Sequence, residues 1–139
     1  MKKVTNLFKG ILTIFLLIGF TVSAQDKPKG KPWPAPESAI KAKNPIKSDE
    51  ATLKEGKEIY AQHCKSCHGS KGLGDGTKAE KIDISCGDFT SADYAKVTDG
   101  EAYWKTTEGR KPMPSFKEKL SDNERWTVTN YVRALGKGK

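Results

Sequence analysis

Cys64-Lys65-Ser66-Cys67-His68-Gly69 is the stretch around which the chain reads most clearly. Two thiols three positions apart lie on one helical turn, so each can add to a vinyl group of a single porphyrin and hold it covalently. The adjoining His68 then puts an imidazole nitrogen on the iron from the same side, as a proximal ligand. A bare pair of cysteines at this spacing is shared with zinc and dithiol redox sites. The histidine that follows narrows it to a c-type haem attachment site. Zinc is the alternative, because Cys64, Cys67, His68 and Cys86 supply four ligands by count. Zinc sites usually come as two separated ligand pairs, however, and there is no second pair here. No βαβ pattern surrounds the motif, which argues against a thioredoxin-like dithiol.

The rest of the chain agrees with an exported, haem-bearing domain. Its 139 residues argue for one domain. Residues 1–24 read as a secretory signal. Lys2, Lys3 and Lys9 are basic, Gly10 to Val22 is nearly all apolar, and Val22-Ser23-Ala24 offers small residues before a cut at Gln25. An uncleaved anchor is the competing reading, although the apolar run is short of the roughly 20 residues of a membrane span. Export places the expected location in the periplasm or at the outer face of the cytoplasmic membrane, where thioether formation takes place. Two of the three cysteines are used by haem. Cys86 is left as a free thiol, an intermolecular disulfide or a small buried side chain. The precursor carries +8; without the signal, 22 basic residues face 17 acidic ones, or +5. That balance favours an acidic partner surface. Lysines scattered among acids, with no aromatic-rich RNA motif, give no support to nucleic-acid binding.

Residues 25–47 form a Pro/Lys-rich linker or arm, with Pro28, Pro32, Pro34, Pro36 and Pro45. They favour extended polyproline geometry and cannot bury enough surface to pack alone. Either the segment is a disordered tether or it docks through Trp33. The haem domain is expected over 48–139. Ser48 or Thr52 is a candidate cap, with Thr52-x-x-Glu55 as a capping box. Leu53, Gly56, Ile59 and Tyr60 fall at helical spacing on a helix that delivers the haem motif. Gly69-Ser70-Lys71-Gly72-Leu73-Gly74-Asp75-Gly76 permits the tight turns a chain needs to bend around a flat ring; it lacks the carboxylate spacing of a calcium loop. A short helix is expected over 91–96 with Ser91 as cap. Another spans Asp99 to Glu108, with Asp99 as cap and Gly109 as stop. One of Tyr103 and Trp104 should face the haem or the core. A terminal helix opens on the capping box Ser121-x-x-Glu124, carries Trp126, Thr127, Val128, Tyr131, Val132 and Leu135, and stops at Gly136. It is the expected partner of the helix with Gly56.

A second iron ligand is reached by elimination. Low-spin haem carriers commonly use a soft thioether. Met113, in Arg110-Lys111-Pro112-Met113-Pro114, is the only methionine left after signal removal. The one other histidine, His63, directly precedes Cys64 and cannot reach across the ring. The competing reading of Met113 is a gap-filling core side chain.

Gly56, Ile59 and Tyr60 ahead of Cys64-x-x-Cys67-His68-Gly69, then Gly72-x-Gly74-Asp75-Gly76, Asp99-Gly100, Gly109-Arg110, Met113-Pro114-Ser115-Phe116 and Leu120-Ser121 through Leu135 carry a family resemblance. The chain resembles class I, single-haem cytochromes c of bacterial type over about residues 50 to 136. The resemblance implies an all-α fold with crossing terminal helices. It implies one covalent haem c enclosed by loops, with His68 and Met113 as axial ligands, and a backbone carbonyl accepting from the proximal histidine. Thr77 stands where many relatives have Pro, and Cys86 and the arm lie outside the pattern. The expected function is a periplasmic one-electron carrier, not an enzyme. The alternatives are a haem c subunit of a membrane respiratory or dehydrogenase complex, and a haem enzyme or gas sensor with an open iron site. Lys65, Lys71, Lys78, Lys111 and Lys117 are candidates to steer acidic redox partners.

Overall fold

The computed structural model describes residues 27–137, so the reading of 1–24 as a signal lies outside the described residues. In chain order, α1 is Glu37–Lys41, α2 Glu50–His63, α3 Lys65–His68, α4 Ala92–Ala95, α5 Asp99–Glu108 and α6 Asp122–Lys137, with one 3-10 turn at Ala79–Lys81. Among the described residues the sole β feature is an isolated antiparallel bridge between Arg110 and Met113. The fold is all-α, as expected.

The crossing of α2 and α6 carries the core. Ile59 and Tyr60 from α2 meet Val128 and Val132 from α6, closed below by Phe116 and Leu120. Apolar residues at helical spacing on both partners bury one stripe each, and this burial is what fixes the two helices together. Gly56 sits where they touch. A Cβ there would lie 2.7 Å from the Thr127 carbonyl oxygen and 2.8 Å from the Tyr131 Cβ. Only a residue without a side chain allows this approach, as its position in the sequence suggested. Tyr60, buried at the crossing, donates its hydroxyl to the Gly69 carbonyl at 2.7 Å and so ties α2 to the chain leaving the haem motif.

The helix ends follow the physics of capping, with some shifts from expectation. Asp49, not Ser48 or Thr52, caps α2. Its carboxylate accepts the Thr52 N–H, and Thr52 Oγ1 accepts the Asp49 N–H at 3.0 Å. Thr52 is thus the return partner of the box, a role its hydroxyl fills as well as Glu55 would. Thr98 caps α5 in place of Asp99, which moves into the first turn and pairs with Arg133 at 3.1 Å. The α4 cap is Ser91, as expected. Gly109 ends α5 with φ +64, as expected. Ser121 and Glu124 exchange both capping bonds at the start of α6. Gly136 does not stop α6, which runs on to Lys137. It instead lets the Phe89 carbonyl oxygen come within 2.9 Å of where a Cβ would stand.

The segment 27–47 is not a free tether. Proline keeps most of it extended, but residues 37–41 form α1, which packs on α5. Lys27 Nζ donates to the carbonyls of Ala79, Glu80 and Ile82 at 2.6, 3.0 and 2.5 Å. Ser85 N–H donates to the Pro28 carbonyl at 3.0 Å. Asn44 donates to the Trp126 carbonyl and to Asn130 Oδ1. Trp33 and Trp104 have ring centroids 6.0 Å apart. The compositional argument was correct that the segment has no core of its own. It docks because the domain offers carbonyls and aromatic faces to a few well-placed side chains.

α5 is sealed on its other side by a buried guanidinium. Arg125 donates to the carbonyls of Lys117 and Leu120 at 2.9 and 2.5 Å, and to Asp122 and the Tyr103 hydroxyl. Tyr103 stacks on Trp126 with centroids 3.9 Å apart and rings within 9°. Buried charge survives here because nearly every donor finds an oxygen.

Candidate haem site

The helix α2 ends at Cys64, whose N–H still bonds to Tyr60, and the chain turns directly into α3. This short turn puts Cys67 and His68 beside Cys64. Further along the chain, Arg110 and Met113 exchange both backbone hydrogen bonds at 2.9 Å, closing a tight turn that presents Met113 between Pro112 and Pro114. The Lys111–Pro112 peptide is cis. Beyond the turn, Ser115 Oγ donates to the Thr107 carbonyl at 2.6 Å and Phe116 N–H to Thr106, which ties it to α5.

Beside these elements lie two adjoining lobes of open space that share lining residues. One lobe, about 640 Å³ counting its open mouth, is lined by His63, Cys64, Cys67, His68, Arg110 and Met113, with Ile82, Ile84 and Cys86 closing a side. The second, about 600 Å³, is lined by Tyr60, Phe89, Tyr94, Val128, Thr129 and Val132. Cys64, His68 and Met113 border both lobes. Concave, mostly apolar space of this size with a few convergent donors suits a cofactor. The two thiols, the imidazole and the thioether that the sequence singled out are thus brought to one cavity.

The electrostatics fit a metal-bound imidazole. Burial holds His68 neutral, lowering its pKa from 6.5 to about 4; the Cys86 backbone carbonyl opposes this. Its Nδ1 is nonetheless buried without a partner in hydrogen-bond geometry. An Nδ1–H aimed at that nearby carbonyl would orient the neutral ring and leave Nε2 as the nitrogen able to ligate iron. Phe89 stacks on the ring, centroids 4.6 Å apart. Burial also pushes the Cys64 thiol up to about 12, with Cys67 adding to it, and it raises Cys86. These residues fit a covalently attached haem; among the described residues no cluster of His, Cys, Asp and Glu fits a bare metal ion.

Several assignments are sharpened. Neither Tyr103 nor Trp104 lines the cavity: Tyr103 stacks on Trp126 and Trp104 faces Trp33. From α5 it is Ala102, Lys105 and Thr106 that reach it. Cys86 is a wall residue. Ile82, Ile84 and Phe89 were missed, since they lie in a stretch with no helical period. Their signal was the recurrence of large apolar residues in a segment otherwise polar. Lys65, Lys71, Lys78, Lys111 and Lys117 are all exposed.

A helical domain whose crossing helices wall a cavity lined by both a Cys-x-x-Cys-His turn and a methionine is the arrangement of c-type cytochromes. The chain belongs to the family described as cytochrome c oxidase, cbb3-type, subunit III, whose family model matches residues 51–132. It is similar to a chain of the Kuenenia stuttgartiensis reducing HAO-like protein complex Kustc0457/Kustc0458, at 34% identity and a TM-score of 0.60. That match covers 76% of this chain and 51% of the other, so this chain spans about half the length of that relative. It is also similar to the KustC0563 c-type cytochrome, at 33% identity and a TM-score of 0.51 over 58% of this chain and 95% of that one. No curated protein matches the chain. It carries a cytochrome c domain, the fold that binds haem c covalently.

Proposed function

We propose that Cys64 and Cys67 hold the haem as thioethers, that His68 and Met113 bind its iron from opposite sides, and that the protein is an exported one-electron carrier. The observation that carries this is the convergence of Cys64, His68 and Met113 on both lobes of one cavity. When bound, the haem supplies an Fe(III)/Fe(II) couple. The chain does the rest. Tyr60, Phe89, Val128 and Val132 keep water from the buried lobe, which disfavours extra charge there. His68, neutral and stacked on Phe89, keeps one orientation. The paired backbone bonds between Arg110 and Met113 hold the thioether in place, so little has to move between redox states. With His68 and Met113 as its ligands the iron would offer no position to a substrate, which argues for a carrier over an enzyme or gas sensor. The exposed lysines named above steer acidic redox partners at salt-sensitive rates.

A second reading, a subunit of a respiratory or dehydrogenase complex, is favoured by one observation: a similar chain belongs to a complex. The arm gives that reading no help as a tether, since it is packed on its own domain. The two part on purification. A carrier leaves the exported fraction alone, with a haem mass that survives denaturation on the peptide spanning 64–68 and disappears with Cys64→Ala and Cys67→Ala together. Haem retained by that double variant contradicts the attachment. Co-elution with other cytochromes under mild conditions favours the subunit.

A further inference from the structure

We infer that Trp33, on the N-terminal arm, is a positioning residue for Met113 and acts through Arg110; this rests on the reading of Met113 as an iron ligand. The turn that carries Met113 is anchored unevenly. On its C-terminal side Ser115 and Phe116 bond directly to carbonyls of α5. On its N-terminal side the chain leaves Gly109 and holds to the body through Arg110. Arg110 is the residue that exchanges both backbone bonds with Met113. Its side chain reaches the arm: Nη1 donates to the Pro32 carbonyl at 3.0 Å, and the guanidinium carbon lies 4.7 Å from the centre of the Trp33 ring. The Trp33 ring is itself fixed by α5, with Trp104 at 6.0 Å and Lys105 Nζ at 5.8 Å. Arg110 and Met113 both border the haem cavity. The path from arm to ligand is therefore Trp33 and Pro32, the Arg110 side chain, the Arg110 backbone and the Met113 backbone, with a contact at every step.

A guanidinium on an aromatic face is held by the ring's electrons and by planar packing, neither of which an aliphatic side chain reproduces. Loss of the ring frees Arg110, and the turn then samples arrangements in which the sulfur is away from the iron. An added ligand binds only those arrangements, so its apparent affinity scales with their population.

The test uses the haem-loaded, full-length protein and imidazole added to the ferric state. Trp33→Leu keeps apolar bulk and removes the ring face. We expect it to tighten apparent imidazole binding by about fivefold and to weaken the sulfur-to-iron charge-transfer band. Trp33→Phe should restore both toward wild type, and Trp33→Leu should add nothing once Arg110→Gln is present. Asn44→Ala is the control. It removes a different arm anchor, on Trp126 and Asn130, and should lower the melting temperature without changing imidazole affinity. A normal sulfur band in wild type together with unchanged imidazole affinity in Trp33→Leu overturns the inference alone. Equal effects of Trp33→Leu and Asn44→Ala also overturn it, since the arm would then act only as general packing. A wild-type protein with no sulfur band overturns the ligand reading and the inference with it.

Discussion

The α2–α6 crossing and the N-terminal arm are held to the same body by opposite means. The crossing buries Ile59, Tyr60, Val128 and Val132 in a repeating stripe, and no single contact dominates. The arm buries one small apolar residue, Ala35, and depends on isolated anchors: Lys27 on three carbonyls, Trp33 between Trp104 and Arg110, Asn44 on α6. Periodic burial is redundant, because each residue supports its neighbours. Isolated anchoring is not, and each anchor can be removed without touching the others. The crossing should therefore set global stability, and the arm should respond locally.

The largest effect is expected where the crossing is tightest. Gly56→Leu drives carbon into the Thr127 carbonyl and the Tyr131 Cβ, both within 2.8 Å of the new Cβ position. Part of that contact is backbone and cannot rotate away. We expect a loss of about 3 kcal/mol or more in chemical denaturation of the haem-loaded protein. A wild-type midpoint would mean that the helices cross elsewhere.

The matching change on the arm should be smaller and local. Gly100, in the first turn of α5, lies under α1, and a Cβ there would collide with the Ala39 carbonyl oxygen and stand 2.7 Å from that of Ala42. Gly100→Val should lift α1 off α5 at a cost of about 1–2 kcal/mol. The direct readout is limited proteolysis, with cleavage between 37 and 47 accelerated and the haem domain left intact. Unchanged cleavage would show that the arm is not held there.

The smallest effect is at an exposed helix end. Ser121→Ala should cost about 1 kcal/mol near pH 7, typical of a lost N-cap. Bonds from the Ser121 side chain and backbone hold the Glu124 carboxyl below its ordinary value of 4.5. The unfolded chain therefore binds the proton more readily. The stability from this pair is present above pH 4.5 and lost as pH falls through the lowered native value. The gap between wild type and Ser121→Ala should accordingly narrow on acidification; a gap independent of pH would assign the cost to something other than the capping pair.

The same contrast explains what could be read from the sequence. The haem motif, Gly56, the Ser121–Glu124 box and Met113 announce themselves by fixed spacing or by elimination: Gly56 sits at the helix crossing, the box opens α6, and the motif and Met113 line one cavity. Tether and docking arm could not be told apart from the sequence because the arm's anchors have no period. Lysine on carbonyls and tryptophan under arginine are matches between distant segments, invisible until the domain has folded. The cavity wall at Ile82, Ile84, Cys86 and Phe89 escaped for the same reason. Caps moved by one to three residues, from Ser48 or Thr52 to Asp49 and from Asp99 to Thr98, because neighbouring short polar side chains can all satisfy the same amides.

The central claim is that His68 and Met113 hold one iron from opposite sides of the cavity. Its most direct test is the optical spectrum of the haem-loaded protein, oxidised and then reduced, with and without carbon monoxide. The account predicts a low-spin c-type spectrum, a sulfur-to-iron charge-transfer band in the oxidised state and no response to carbon monoxide. A high-spin or carbon monoxide-reactive spectrum would contradict it, and would leave the iron open for a haem enzyme or gas sensor.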